Sequence, residues 1–452
     1  MKRGLIAASL MLAVVSVSAT EYFVSPKGTG TAYSKQAPGG LSDEAFSMLK
    51  ADDVLYLMDG QYDVTTQLSL RNSGSAGHYI TVCAAPGAKP VLDFRQQPNG
   101  SKSNGLKVMG SYVWLRDLTI CYAGYKGVWL EKAAHCILER LEVYGCCNAG
   151  IQLRSGGYNM VINCDAHDNF DYQDEGGNAD GFADKQGDPT PGNIYVGCRA
   201  WGNSDDGWDS YGRTTKDKPT AYIHCITYNN GPATFNLTNH PRATGVDKEL
   251  PCMTGKDLTS YPNGGNPNGF KVGGKGSLHD VELYQCLAVG HQKKGFDQNN
   301  NAGHMKITNC TAYKNNVNYG FGNKHPYTLT ITNCLSLAPE KSNFDRYEGA
   351  TIVSENNTWD AQHAQQPQTD GKDIERVVLA ERQADGSLSD AVLKYMKGLS
   401  SGKKEADVVI SGLTVSTEPV RSDMPCFDLY GRSVAKGYHG LVLQDGELKM
   451  MK

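Results

Sequence analysis

Asp180-Gly181-Phe182-Ala183, Asp206-Gly207-Trp208-Asp209, Asn268-Gly269-Phe270-Lys271, Lys294-Gly295-Phe296-Asp297 and Tyr319-Gly320-Phe321-Gly322 are versions of one phrase. Three of them share a lead-in, because Cys198, Cys286 and Cys310 precede Gly207, Gly295 and Gly320 at nearly equal distance. A recurring unit of about 25 residues marks a solenoid, in which equal positions of successive repeats stack on one another. The residue after the aromatic therefore forms a column: Ala183, Asp209, Lys271, Asp297 and Gly322. A lysine held in register between aspartates reads as a site, not as scattered surface charge.

Outward from that column the text stays repetitive. Tyr112-Val113-Trp114-Leu115, Cys136-Ile137-Leu138, Met160-Val161-Ile162, Ile194-Tyr195-Val196, Ala221-Tyr222-Ile223, Val281-Glu282-Leu283, Met305-Lys306-Ile307 and Leu329-Thr330-Ile331 are short β-rich runs. Most lead through a turn into a glycine-aromatic or glycine-aliphatic phrase, with Gly127-Val128-Trp129 and Gly150-Ile151-Gln152 as earlier members. Several strands per repeat with no helical stretch between them predict an all-β chain wound as a parallel β-helix. Residues 21–95 read as an N-terminal cap, with helical apolar spacing from Leu41 to Leu49. One repeat is interrupted between Gly231 and Asn266, a stretch rich in Pro, Gly, Asn and Thr, predicted to loop out beside a binding groove. That insertion makes the Lys271 coil the direct neighbour of the Asp209 coil. Ile374 to Leu399 is helix-like and reads as part of a closing cap.

Lys2 and Arg3 precede an apolar run from Leu5 to Val17, and Val17-Ser18-Ala19 is a small-residue cleavage site. The expected division is a signal peptide at 1–19, a β-helix domain with its caps at 20–415, and a small C-terminal tail at 416–452. The chain is then secreted, periplasmic or held at the cell surface. No later run is apolar and long enough to span a bilayer. A net charge of -4 gives no reason to expect nucleic acid, and a monomer is expected. The chain has 13 cysteines. Cys136, Cys164, Cys198, Cys225, Cys286, Cys310 and Cys334 sit in strand-like contexts, where free cysteine packs as a small buried hydrophobe.

Asp180, Asp205, Asp206 and Asp209 fall on two adjacent coils. Like charges crowded together raise one another's pKa, and a hard cation resolves the conflict. Ca2+ accepts six to eight oxygens in irregular geometry, at about 2.3–2.6 Å, which suits ligands from separate coils. A dication beside Lys271 disfavours its charged form and makes it a usable general base. Lys275 and Lys294 add positive potential, and Asp297 and Asn300 are further candidates for substrate contact. His291 and His325 read as turn or surface histidines. A metal, a lysine base and a groove on a β-helix suit one reaction: removal of the C5 proton of a uronate, then loss of the oxygen at C4.

Asn178-Ala179-Asp180-Gly181-Phe182-Ala183, Gly192-Asn193, Asn203-Ser204-Asp205-Asp206-Gly207-Trp208-Asp209 and Asn268-Gly269-Phe270-Lys271-Val272-Gly273-Gly274 resemble family 9 of the polysaccharide lyases. The resemblance runs over residues 20–400. It implies a right-handed parallel β-helix, calcium ligation by Asp180, Asp205, Asp206 and Asp209, and Lys271 as Brønsted base. It also implies eliminative cleavage of an acidic pectic polysaccharide, either homogalacturonan or the rhamnogalacturonan I backbone. Two other readings stand beside it. One is a β-helix glycoside hydrolase using Asp205 and Asp206 as its paired carboxylates. The other is a non-catalytic glycan-binding solenoid, which has no use for an in-register lysine.

Overall fold

Each short run has apolar side chains to bury on its inward face, and the next repeat supplies an equivalent run to pair with. The computed structural model describes residues 19–174, 176–185, 187–231, 265–360, 371–399, 413–435 and 437–451. All but two of its strands stack into three sheets of 12, 10 and 10 strands, and Gly440–Gln444 and Glu447–Met451 form a separate antiparallel pair. The first runs from Glu21–Val24 to Thr351–Glu355, the second from Gly60–Asp63 to Leu335–Leu337, and the third from Leu68–Leu70 to Ser342–Arg346. Neighbouring strands in all three are parallel and one repeat apart, so the chain is a parallel β-helix. The predicted signal segment, and most of the predicted Gly231–Asn266 loop, lie outside the described residues.

The interior is built from ladders. Phe182, Trp208, Phe270, Phe296 and Tyr319 stack face to face along the third sheet, with centroids 4.5, 4.9, 5.1 and 4.9 Å apart. The cysteines from Cys136 to Cys334 are all buried free thiols. Many donate to a carbonyl of the preceding coil, as Cys198 Sγ does to Val161 at 3.3 Å. At the corner before the third sheet, Asn169 donates to Asn203 and Asn203 to Asn230 through their side-chain amides, at 2.7 and 3.0 Å. These amide ladders satisfy a buried bend whose backbone groups would otherwise be unpaired.

Three expectations change. Asp297 pairs with Gly320 and Phe296 with Tyr319, so the column passes through Gly320, not Gly322, and goes on to Asp345. The phrase there is out of phase: Asn318 occupies the glycine's place, and the stacking of Tyr319 sets the register. The helix-like stretch forms Gly371–Val377 and Asp390–Leu393. Ile374, Val378, Val392 and Met396 pack on Ile226, Leu287 and Val289, so this segment lies along the outer face of the second sheet. The C-terminal segment docks on the outer face of the first sheet, where Phe427, Leu441, Leu443 and Leu448 meet Ile137, Met160, Ile162 and Val196. At the other end, Asp43–Ser47 is capped by Ser42 and sends Phe46 into the main core.

Candidate functional site

With apolar clusters on two flanks, the outer face of the third sheet carries the polar column. Its rungs run Ser69, Lys107, Trp129, Gln152, Ala183, Asp209, Lys271, Asp297, Gly320 and Asp345. The glycine of each phrase is required by close approach between coils. A Cβ on Gly207 would lie 2.1 Å from Thr227 Oγ1 and 2.8 Å from the Gly269 carbonyl. The tight corner delivers Asp205 and Asp206 just before the strand and Asp209 within it.

Asp180, Asp205 and Asp206 each present an oxygen within 4.8 Å of the others, and all three are buried. Asp205 accepts the backbone N–H of Asn178 at 2.8 Å and of Asn266 at 2.6 Å. Asp206 Oδ1 accepts both the backbone N–H and the amide of Asn268, at 2.9 and 2.8 Å. Lys271 Nζ donates to Asp206 Oδ2 at 2.8 Å and lies 3.3 Å from Asp209 Oδ1. Asp209 is not a member of the close triad; its other oxygen takes the ammonium of Lys185 at 2.7 Å.

Lys185 was not among the sequence candidates. Its Nζ bridges Asp180 Oδ2 and Asp209 Oδ2, 2.7 Å from each. Arg213, fully buried and ion-paired with Asp184 at 3.2 Å, anchors the strand end from which Lys185 projects. Asn268 and Tyr211 were also missed. Tyr211 donates its backbone N–H to Asp209 Oδ1, and its ring lies 5.8 Å from Lys271 Nζ and 5.1 Å from Lys275 Nζ. The one readable hint of Lys185 was its position just past the Ala183 phrase.

The electrostatics are those of an under-compensated anionic cluster. Burial drives Asp206 well above the usual carboxylate range, against the pull of Lys271. Burial pushes Asp180 up to about 7 despite Lys185. Asp209 is buried too, but Lys185 and Lys271 together hold it below its ordinary value. The lowering expected of Lys271 depends on a dication bound beside it. Burial opposes its charge, yet Asp206 and Asp209 outweigh burial and hold the amine protonated, well above the lysine range. Asp180 Oδ1 is buried and, among the described residues, has no hydrogen-bond partner. An orphaned carboxylate oxygen beside two further carboxylates is a donor set fit for a hard cation.

The remaining candidates fall around this centre. Asp297, one rung beyond Lys271, is paired with Lys294 at 2.8 Å. Lys275 is exposed. Asn300 is half-buried in a left-handed turn after that rung, at φ +58°. His291 is not at the surface. It is buried on the asparagine ladder, accepts the Asn230 N–H at Nδ1, and is pushed down to about 3 by burial. His325 is half-buried beside Gly276.

A family model described as Pel9A-like, right handed beta helix region, matches residues 22–343. The chain belongs to this family. Among its relatives is pectate lyase L of Dickeya dadantii (strain 3937), 31% identical over 414 residues, which cover 86% of this chain and 88% of that protein. The crystal structure of pectate lyase Pel9A superimposes with a TM-score of 0.68 at 28% identity, covering 90% of this chain and 95% of that one. A rhamnogalacturonan lyase, 20% identical, shares the fold with a TM-score of 0.66 over 82% of this chain and 95% of its own. The right-handed parallel β-helix expected from the sequence is thus the fold of the family.

Proposed function

We propose that this chain, a pectic polysaccharide lyase, cleaves a galacturonate-containing polymer by β-elimination, with Lys271 as the base and the aspartate cluster as a calcium site. The observation that carries this reading is the contact of Lys271 Nζ with Asp206, a member of the buried triad in which Asp180 Oδ1 has no partner among the described residues. Asp180, Asp205 and Asp206 would hold the cation, with Asp209 at the edge of the cage. Calcium bound there would offset the carboxylates that keep Lys271 protonated and would polarise a sugar carboxylate.

The chain's own residues divide the remaining work. Lys271 Nζ takes the proton from C5, which is acidic because it adjoins the carboxylate. The C5–H electron pair becomes the C4–C5 double bond as the C4–O bond breaks, and the leaving glycosidic oxygen keeps that bond's pair and takes a proton from water. Asn268 and the backbone N–H groups of Asn178 and Asn266 hold Asp206 and Asp205 in place. Lys294 and Lys275, near Asp297 and Tyr211, supply positive potential for the neighbouring sugars. The leader read at residues 1–19 supports an extracytoplasmic location, where such polymers occur. Among the described residues no helix is long and apolar enough to cross a membrane.

Ultraviolet absorbance on polygalacturonate and on rhamnogalacturonan I tests the reaction, because elimination creates a conjugated alkene. New reducing ends without that absorbance would instead establish hydrolysis. Full activity in excess chelator would remove the cation from the mechanism.

A further inference from the structure

On the same outer column, Lys107 and Trp129 lie toward the N-terminal end from the aspartate cluster. Lys107 is accounted for: its Nζ stands 4.0 Å from the centre of the Trp129 ring and pairs with Glu131 at 2.5 Å. Lys126, on the turn entering the Trp129 strand, is different. It is 7% exposed, and among the described residues no carboxylate lies within ion-pair reach of it. Its ammonium rests 3.5 Å from the centre of the Tyr125 ring and 5.2 Å from that of Trp129. The charges around it are Lys185 and Arg154, which oppose its protonation, and Asp171 and Asp180, which favour it. Burial first, then Lys185, bring it down to about 7.

Arg154 is exposed and stands one rung from Glu131 in the adjacent strand. A lysine placed for stability alone would be buried against a carboxylate or left in water, since sequestering an unpaired ammonium is costly. Aromatic faces offset only part of that cost. The arrangement makes sense if the missing anion arrives with a ligand.

We propose that Lys126 and Arg154 form a subsite for the carboxylate of a second uronate, on the N-terminal side of the aspartate cluster, with Tyr125 and Trp129 as its walls. The subsite rests on the pectic lyase reading for the identity of its ligand. Trp129 lies three rungs from Asp209, about 14 Å at one strand spacing per rung. A polymer reacting at Lys271 thus reaches Lys126 with a different sugar. Lys126 is then a binding residue that contributes to recognition of charged over esterified substrate, and it takes no part in proton removal.

The test is calorimetric binding of a galacturonate oligomer of defined length, on a Lys271→Ala background that prevents turnover. Lys126→Met and, separately, the exposed Arg154→Ala are each expected to weaken binding about tenfold. Lys126→Arg should retain it, and a methyl-esterified oligomer should be insensitive to both losses. In the turning-over enzyme, Lys126→Met should raise KM with kcat within about twofold. Unchanged affinity in both variants, or a fall in kcat at constant KM, overturns the proposal. If Lys126→Met does not fold, Arg154→Ala decides alone. Absence of unsaturated product from the wild-type chain would count against the lyase mechanism, while the binding comparison would still decide the subsite.

Discussion

Asp209 and Lys271 occupy the same register position on adjacent rungs, and their charged ends are 3.3 Å apart. Two residues far apart in sequence become neighbours because the strands Trp208–Asp209 and Phe270–Lys271 pair directly, in parallel. The proposed base is thereby tied to the carboxylates that set its protonation.

Lys271→Ala is expected to reduce the elimination rate by at least about 10²–10⁴-fold, the usual contribution of a positioned base. Lys271→Arg should be equally inactive, because a guanidinium does not release its proton at working pH. Absorbance assays beside a circular dichroism melt separate this from unfolding. Turnover surviving in Lys271→Ala would refute the assignment.

Asp206 and Asp209 keep Lys271 charged, and only the neutral amine removes a proton. The acidic limb of kcat/KM is therefore expected to rise with pH well beyond neutrality. Calcium bound at the carboxylates would draw that limb to lower pH, so profiles at limiting and at saturating calcium check it, and an optimum in the acid range would contradict it.

Lys185 supplies a tethered cation to Asp180 and Asp209. In chelator, Lys185→Met should lose about 3–5 kcal/mol, the cost of leaving buried carboxylates without their partner. With that internal competitor gone, calcium titrated calorimetrically should bind more tightly than to the wild type. Equal melting temperatures in chelator would show that Lys185 does not support the cage.

Trp208 is fully buried between Phe182 and Phe270. Trp208→Ala should cost about 3–5 kcal/mol in denaturant unfolding and lower activity by loosening the corner that carries Asp205, Asp206 and Asp209. A loss below 1 kcal/mol, as a rough bound, would mean that the aromatic ladder does not hold this rung.

His167 stacks between Tyr144 and Trp201. Burial disfavours its charge, but Asp168 at 2.7 Å and Glu142 at 3.7 Å raise it to about 9. Because the folded value exceeds the unfolded one of about 6.5, the stabilisation is complete below pH 6.5 and fades as pH rises through 9. The expected loss is about 1–3 kcal/mol between pH 6 and pH 9.5, and His167→Gln should flatten it. A wild-type melt with no slope across that window would contradict the pairing.

The amino-acid sequence by itself determined the repeat, the parallel β-helix, the buried cysteine column and the adjacency of Asp209 and Lys271. Those features obey hydrogen-bond register, which advances one rung per repeat and so is readable along one dimension. Tertiary structure alone decided what lies off the ladder. Lys185 reaches the cage from beyond a strand end, and Lys126 is buried by a turn, where loop lengths differ between repeats and no period foretells a side chain's direction. The same holds for Tyr319, whose stacking on Phe296 overrode the phrase around Gly320. It holds also for the two C-terminal segments, which cover flanks of the solenoid because the apolar outer faces of the first and second sheets needed partners.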